Sequence, residues 1–147
     1  VTFDEDLNVP DVKPDVGRMI QKKGEIMSWT FDNNLPIYLQ IMDRIKLQII
    51  SNQLQAGEKL PAVRELAAEA GVNPNTIQRA LSDLEKEGFV YSQRTSGRFV
   101  TDNRDLILQA RQKLSEEEVK NFVNNMTRFG YHKEELPTII ADYIKGV

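Results

Sequence analysis

The chain has 147 residues, 40% of them hydrophobic and 28% charged, with a formal net charge of −3. That length accommodates one modest domain and an appendage but not two large domains. The absence of cysteine excludes disulfides and thiolate sites, the single histidine, His132, cannot assemble a zinc site by itself, and no apolar run is long enough to span a membrane.

Residues 1 to 26 set Pro10, Pro14 and Gly17 among scattered acids and lysines without a helical or strand period, the pattern of a flexible N-terminal extension. Met27-Ser28-Trp29 resembles a natural start, which leaves two expectations for the segment before it, an added extension or one read from an upstream start. No signal-peptide pattern is present, and the expected compartment is the cytoplasm. Residues 36 to 55 predict an amphipathic helix, with Ile37, Ile41, Ile45 and Ile49 repeating every fourth residue, joined by Leu39, Met42 and Ile50. Tyr38 and Gln40 are read as packing or surface residues without chemistry.

Val63, Leu66, Ala67 and Ala70 then recur at intervals of three and four, a second helical face that Pro61 opens and Gly71 closes in a left-handed cap. In the third helix Asn73 is the N-cap, Pro74 fits the first helical position, and Ile77, Ala80, Leu81 and Leu84 form the buried stripe before Gly88. Its other face carries Asn75, Thr76, Gln78, Arg79 and Ser82, side chains that hydrogen-bond base edges or phosphates on an element that fits the major groove. Taken alone this is an ordinary solvated face; its position at the start of the second helix of a helix-turn-helix makes it a recognition surface. After Gly88, Phe89-Val90-Tyr91 and Arg98-Phe99-Val100-Thr101 predict a hairpin across Ser92 to Gly97, with Arg94 and Arg98 flanking a basic tip suited to phosphates or the minor groove. Residues 27 to 101 are thus expected to form a winged helix-turn-helix domain of the DNA-binding kind.

Charge alone does not point to nucleic acid: residues 1 to 26 carry 4 basic and 6 acidic side chains, residues 27 to 101 carry 8 and 8, and residues 102 to 147 carry 7 and 8. A basic surface has to come from segregation, with Arg64, Arg79, Arg94 and Arg98 on one side and Glu65, Glu69 and Glu85 elsewhere.

Beyond the wing, Leu106, Ile107, Ala110 and Leu114 form one helical stripe, and Val119, Phe122, Val123, Met126 and Phe129 form another that ends at Gly130. The five-residue step between them breaks the phase, and Ser115 with Glu118 fits a capping box, so two helices or one long helix with a shifting face are both open. A last helix carries Leu136, Ile139, Ile140, Tyr143 and Ile144, with Pro137 marking its start or a kink. Helices this short cannot enclose a core, so residues 102 to 147 are read as a dimerisation region, its interface built from Leu106, Ala110, Leu114, Val119, Phe122, Val123 and Met126. A small-ligand pocket lined by Phe122, Met126 and Phe129 is the alternative, and no convergent polar cluster supports it. Catalysis is not expected: there is no nucleophile–base pair, phosphate loop or metal set, and no cofactor is implied.

The segments LPAVRELA, GVNPNTIQRALSDLEKEGFV and SGRFV resemble the N-terminal domain of GntR-type transcription regulators, and the similarity runs back through PIYLQIMDRIKLQIISNQLQAGEKL. The resemblance implies operator contacts from Arg64 of the leucine-proline motif, from Asn73, Asn75, Thr76, Gln78 and Arg79, and from the wing around Ser96 and Gly97. The chain departs from that pattern at Ala62, where a capping serine is common, at Thr95 for a wing glycine, at Arg98 for a small residue, and at Pro74, where many relatives carry arginine. The two-helix tail resembles the YtrA branch, whose members look like homodimers without a large effector domain and repress nearby operons, often encoding ABC transporters. The expected fold is therefore mainly α with a small β-wing, and the expected function is transcription regulation through a double-stranded DNA operator with inverted repeats. Such a regulator leaves room for a small-molecule effector as a further partner. The rival reading is a winged-helix protein-interaction module without specific DNA binding.

Overall fold

The structure, a computed structural model, describes residues 29–146. The expected N-terminal extension and the start at Met27-Ser28 lie outside the described residues. The chain divides into two compact units after Arg111.

In the first unit, helix α1 (Ile37–Ile50) buries Ile41, Ile45 and Ile49 as the spacing predicts. It stops five residues short of the expected end, because Ser51 N–H caps the Leu47 carbonyl and Asn52 turns into the left-handed region at φ 64°, a conformation asparagine tolerates better than most residues. Arg44 shares the buried face; its guanidinium lies 4.3 Å from the Trp29 ring centre, and burial pulls it below the ordinary arginine value. Helix α2 (Val63–Ala70) starts at Ala62 without a side-chain cap and ends at Gly71 with φ 69°. Helix α3 (Pro74–Lys86) begins with Asn73 Oδ1 accepting Asn75 N–H at 2.8 Å and with Pro74 in its first turn. Ile77, Ala80, Leu81 and Leu84 of α3 pack on α1 and α2 to form the core.

The wing is an antiparallel hairpin of β1 (Val90–Gln93) and β2 (Gly97–Val100), with Val90 opposite Val100 and Tyr91 opposite Phe99. Val90 and Val100 close the core, while the Tyr91 and Phe99 rings stack 5.6 Å apart on the other face, the alternation a half-buried hairpin requires. The segment before α2 lies along β2: Leu60 N–H donates to Arg98 O and Val100 N–H to Glu58 O.

Helix α4 (Arg104–Arg128) is continuous. The capping box at Ser115 does not form, since its hydroxyl donates to the Gln112 carbonyl within the helix at 2.8 Å. The first turns of α4 belong to the winged-helix unit: Ile107 is buried in its core, and Leu106 and Ala110 pack against that core. These two positions, expected at a dimer interface, are thus half-buried on their own domain, where Leu106 Cδ2 would stand 3.3 Å from a side chain at Gly88. Arg111 ties the same helix down by donating from Nε to the Ile50 carbonyl at 2.8 Å and from Nη2 to the same oxygen.

In the second unit, α4 runs on to Arg128 and a short 3-10 turn (Lys133–Glu135) leads into helix α5 (Leu136–Lys145). Pro137 sits in the first turn of α5, where its missing N–H costs nothing, so it marks a start and not a kink. Glu135 accepts the His132 N–H at 2.8 Å, which fixes the turn.

Candidate nucleic-acid interface

The first turns of α3 present the expected polar face. Asn75, Gln78 and Arg79 are exposed and Thr76 is half-buried, on the side opposite the core stripe. Asn73 uses one lone pair of its amide oxygen on the cap, which fixes the side chain and leaves its amino group free to donate outward. Arg79 does not hang free: its guanidinium stacks over the Tyr38 ring, 3.7 Å from the centre. Tyr38, read from sequence as a packing or surface residue, therefore supports a candidate contact. Nothing in the local pattern signals this, because the pairing joins α1 to α3 across the domain.

Gln78 is committed on both ends of its amide. Its Nε2 donates to Ser82 Oγ at 3.4 Å, and its Oε1 accepts from Arg98 Nη1 at 3.3 Å. The two wing arginines accordingly diverge. Arg94 is exposed in the turn with Thr95 and Ser96, whereas Arg98 leaves the tip and folds back on α3. Gly97 adopts φ 106°, and a side chain there would come within 3.3 Å of Lys59 Cε, so glycine suits both the backbone and the space.

Arg64 lies exposed in the first turn of α2. Between the start of α2 and the wing turn runs a cleft of about 600 Å³ lined by Lys59, Pro61, Ala62, Glu65, Ser96 and Arg98. Lys59 was not anticipated as part of this surface. Glu65 was expected away from the basic residues, yet it borders the same cleft, because the first turn of a helix favours a carboxylate beside its free N–H groups. The surface is thus mixed in charge, and any preference for DNA has to come from particular contacts more than from a general field.

Of the other expected dimerisation residues, Leu114 and Val119 are exposed, while Phe122, Val123 and Met126 are half-buried. Val119, Phe122 and Val123 face Leu136, Pro137 and Ile140 across an apolar groove of about 590 Å³. Among the described residues no group of three acidic, histidine or cysteine side chains is arranged to hold a metal ion, and no helix is long and apolar enough to cross a membrane.

Comparison with known proteins agrees with this architecture. Residues 37–100 match the family described as bacterial regulatory proteins, gntR family. The HTH-type transcriptional regulator YhcF of Bacillus subtilis (strain 168) is 39% identical over 116 residues, which span 79% of this chain and 96% of that protein. The HTH-type transcriptional repressor YtrA of the same strain is 30% identical over 105 residues, 71% of this chain and 81% of that protein. Both alignments are longer than the winged helix, so the similarity reaches beyond it. A solved GntR family transcriptional regulator from Listeria monocytogenes superposes with a TM-score of 0.69 at 36% identity, covering 76% of this chain and 98% of that one. These relatives are transcription regulators and not enzymes.

Proposed function

Because the chain belongs to the gntR family of bacterial regulatory proteins, we propose that it is a sequence-specific repressor that binds an inverted-repeat operator in double-stranded DNA as a homodimer. The observation that carries this reading is the exposed start of α3, where Asn75, Thr76, Gln78 and Arg79 stand together with the wing beside them. Side chains in the first turns of such a helix reach base edges, and a two-fold dimer presents two of these helices about one helical turn of DNA apart, or a multiple of it. Repression is supported by the similarity to YtrA, which is a repressor. The regulated genes are a neighbouring operon, an ABC transporter operon being the expectation for a tail of this kind.

The test is a footprint on the chain's own upstream region, followed by gel-shift titrations against the protected sequence and a scrambled copy. A complex on the protected sequence that survives a rise from about 50 to about 200 mM salt, while the scrambled complex is lost, supports specific recognition. Equal affinities for both sequences at every salt concentration reject it, and no binding to either favours a winged helix used for protein contacts.

A further inference from the structure

The wing and the recognition helix are joined through side chains. Arg98 Nη1 donates to Gln78 Oε1 at 3.3 Å, and Gln78 Nε2 donates to Ser82 Oγ at 3.4 Å, so three residues form one chain along the exposed face of α3. Arg98 Nε is shielded from solvent and has no hydrogen-bond partner among the described residues. The guanidinium is therefore packed away from solvent at Nε and engaged by Gln78 at Nη1.

A glutamine alone on a helix surface samples several rotamers and both orientations of its amide. A donor placed on Oε1 and an acceptor placed on Nε2 select one orientation, since the reverse would set Nε2 against a guanidinium that can only donate. In that orientation Oε1 keeps a second lone pair and Nε2 a second N–H. Those are the acceptor and donor that match the N6 and N7 edge of adenine in the major groove. Resting on the DNA-binding reading above, we propose that Arg98 is a positioning residue for base recognition by Gln78. The wing and α3 then read one base pair as a unit, and Arg98 does not act as a general phosphate contact.

The experiment selects binding sites from an operator library randomised one position at a time, using the full chain, Gln78→Ala, Arg98→Ala, Arg98→Met and the Gln78→Ala/Arg98→Ala double variant. Arg98→Met keeps an unbranched apolar stem at the half-buried site, and melting curves establish which variants are folded. Both Arg98 variants are expected to flatten the base preference at the same position as Gln78→Ala, by about tenfold or more. The double variant is expected to be no worse at that position than Gln78→Ala alone, and the salt slope is expected to hold in every variant. A uniform loss across all sequences, additive with Gln78→Ala and with a salt slope flatter by about one unit, overturns the proposal and makes Arg98 a phosphate contact. Operator preference that persists unchanged in Gln78→Ala overturns it while leaving the DNA-binding reading intact, whereas a full chain with no preference anywhere removes both.

Discussion

Val119 offers a cleaner probe of the proposed dimer than the aromatic residue beside it. Phe122 is half-buried against its own chain, so a charge there disturbs the packing of α4 on α5 before any partner is considered. Val119 lies on the same groove but is 61% exposed, and an aspartate at that position costs the isolated chain little. Covered by a second copy, the substitution loses most of the burial of a valine, about 1–2 kcal/mol, and adds the effective desolvation of a carboxylate, about 2 kcal/mol or more. Two-fold symmetry counts both terms twice. The dimer is therefore expected to weaken by at least about 6 kcal/mol, more than a ten-thousandfold rise in the dissociation constant. Sedimentation equilibrium on Val119→Asp should show monomer at concentrations where the parent is dimeric, with an unchanged circular dichroism spectrum. Operator affinity should fall far more than half-site affinity. A Val119→Asp protein that stays dimeric would refute the assignment of this groove to a second copy and return attention to a ligand within it.

Three further outcomes are expected. Arg79→Ala should weaken operator binding by about 1–3 kcal/mol if the guanidinium touches a base; Tyr38→Leu should reproduce about 0.5–2 kcal/mol of that loss by removing the ring beneath it, and Tyr38→Phe should retain binding. Arg94→Ala should flatten the dependence of binding on salt by about one unit of log-log slope, measured by titration across salt concentrations, because this arginine alone remains exposed at the tip. Asn73→Ala, which removes the oxygen bonded to Asn75 N–H, should lower stability by about 1 kcal/mol in urea denaturation, with the midpoint shifted and the slope unchanged.

What could be read in advance was whatever depends on neighbours in the chain. The start of α3 is written in Asn73 and Pro74, whose capping oxygen and fixed φ act on the next few residues. The end of α2 is written in Gly71, and the two strands of the wing in the aromatic and β-branched runs Phe89-Val90-Tyr91 and Arg98-Phe99-Val100-Thr101. The end of α1 differs from the expectation because apolar periodicity runs on to Leu54, past the point where Asn52 adopts a left-handed conformation. The apolar stripe of α4 was also visible, but a stripe does not state what covers it, and Leu106 and Ala110 met their own domain. The Arg79–Tyr38 stack and the Arg98–Gln78 hydrogen bond join distant segments, and no local pattern encodes either. Residue types at the candidate site were therefore legible while the supports that orient them were not.

The anchoring of α4 has a practical side. A fragment cut after Thr101, at the natural end of the wing, removes Ile107 from the core and strips the Ile50 carbonyl of the arginine that caps α1. Its hydrophobic core would open where Ile107 had closed it, and poor solubility of such a piece would say nothing about its affinity for DNA. A junction placed after Arg111 keeps both ties and leaves the later part of α4 to be exchanged, so that a foreign dimerisation helix could be spliced in phase and the spacing between two winged helices set by the number of residues inserted.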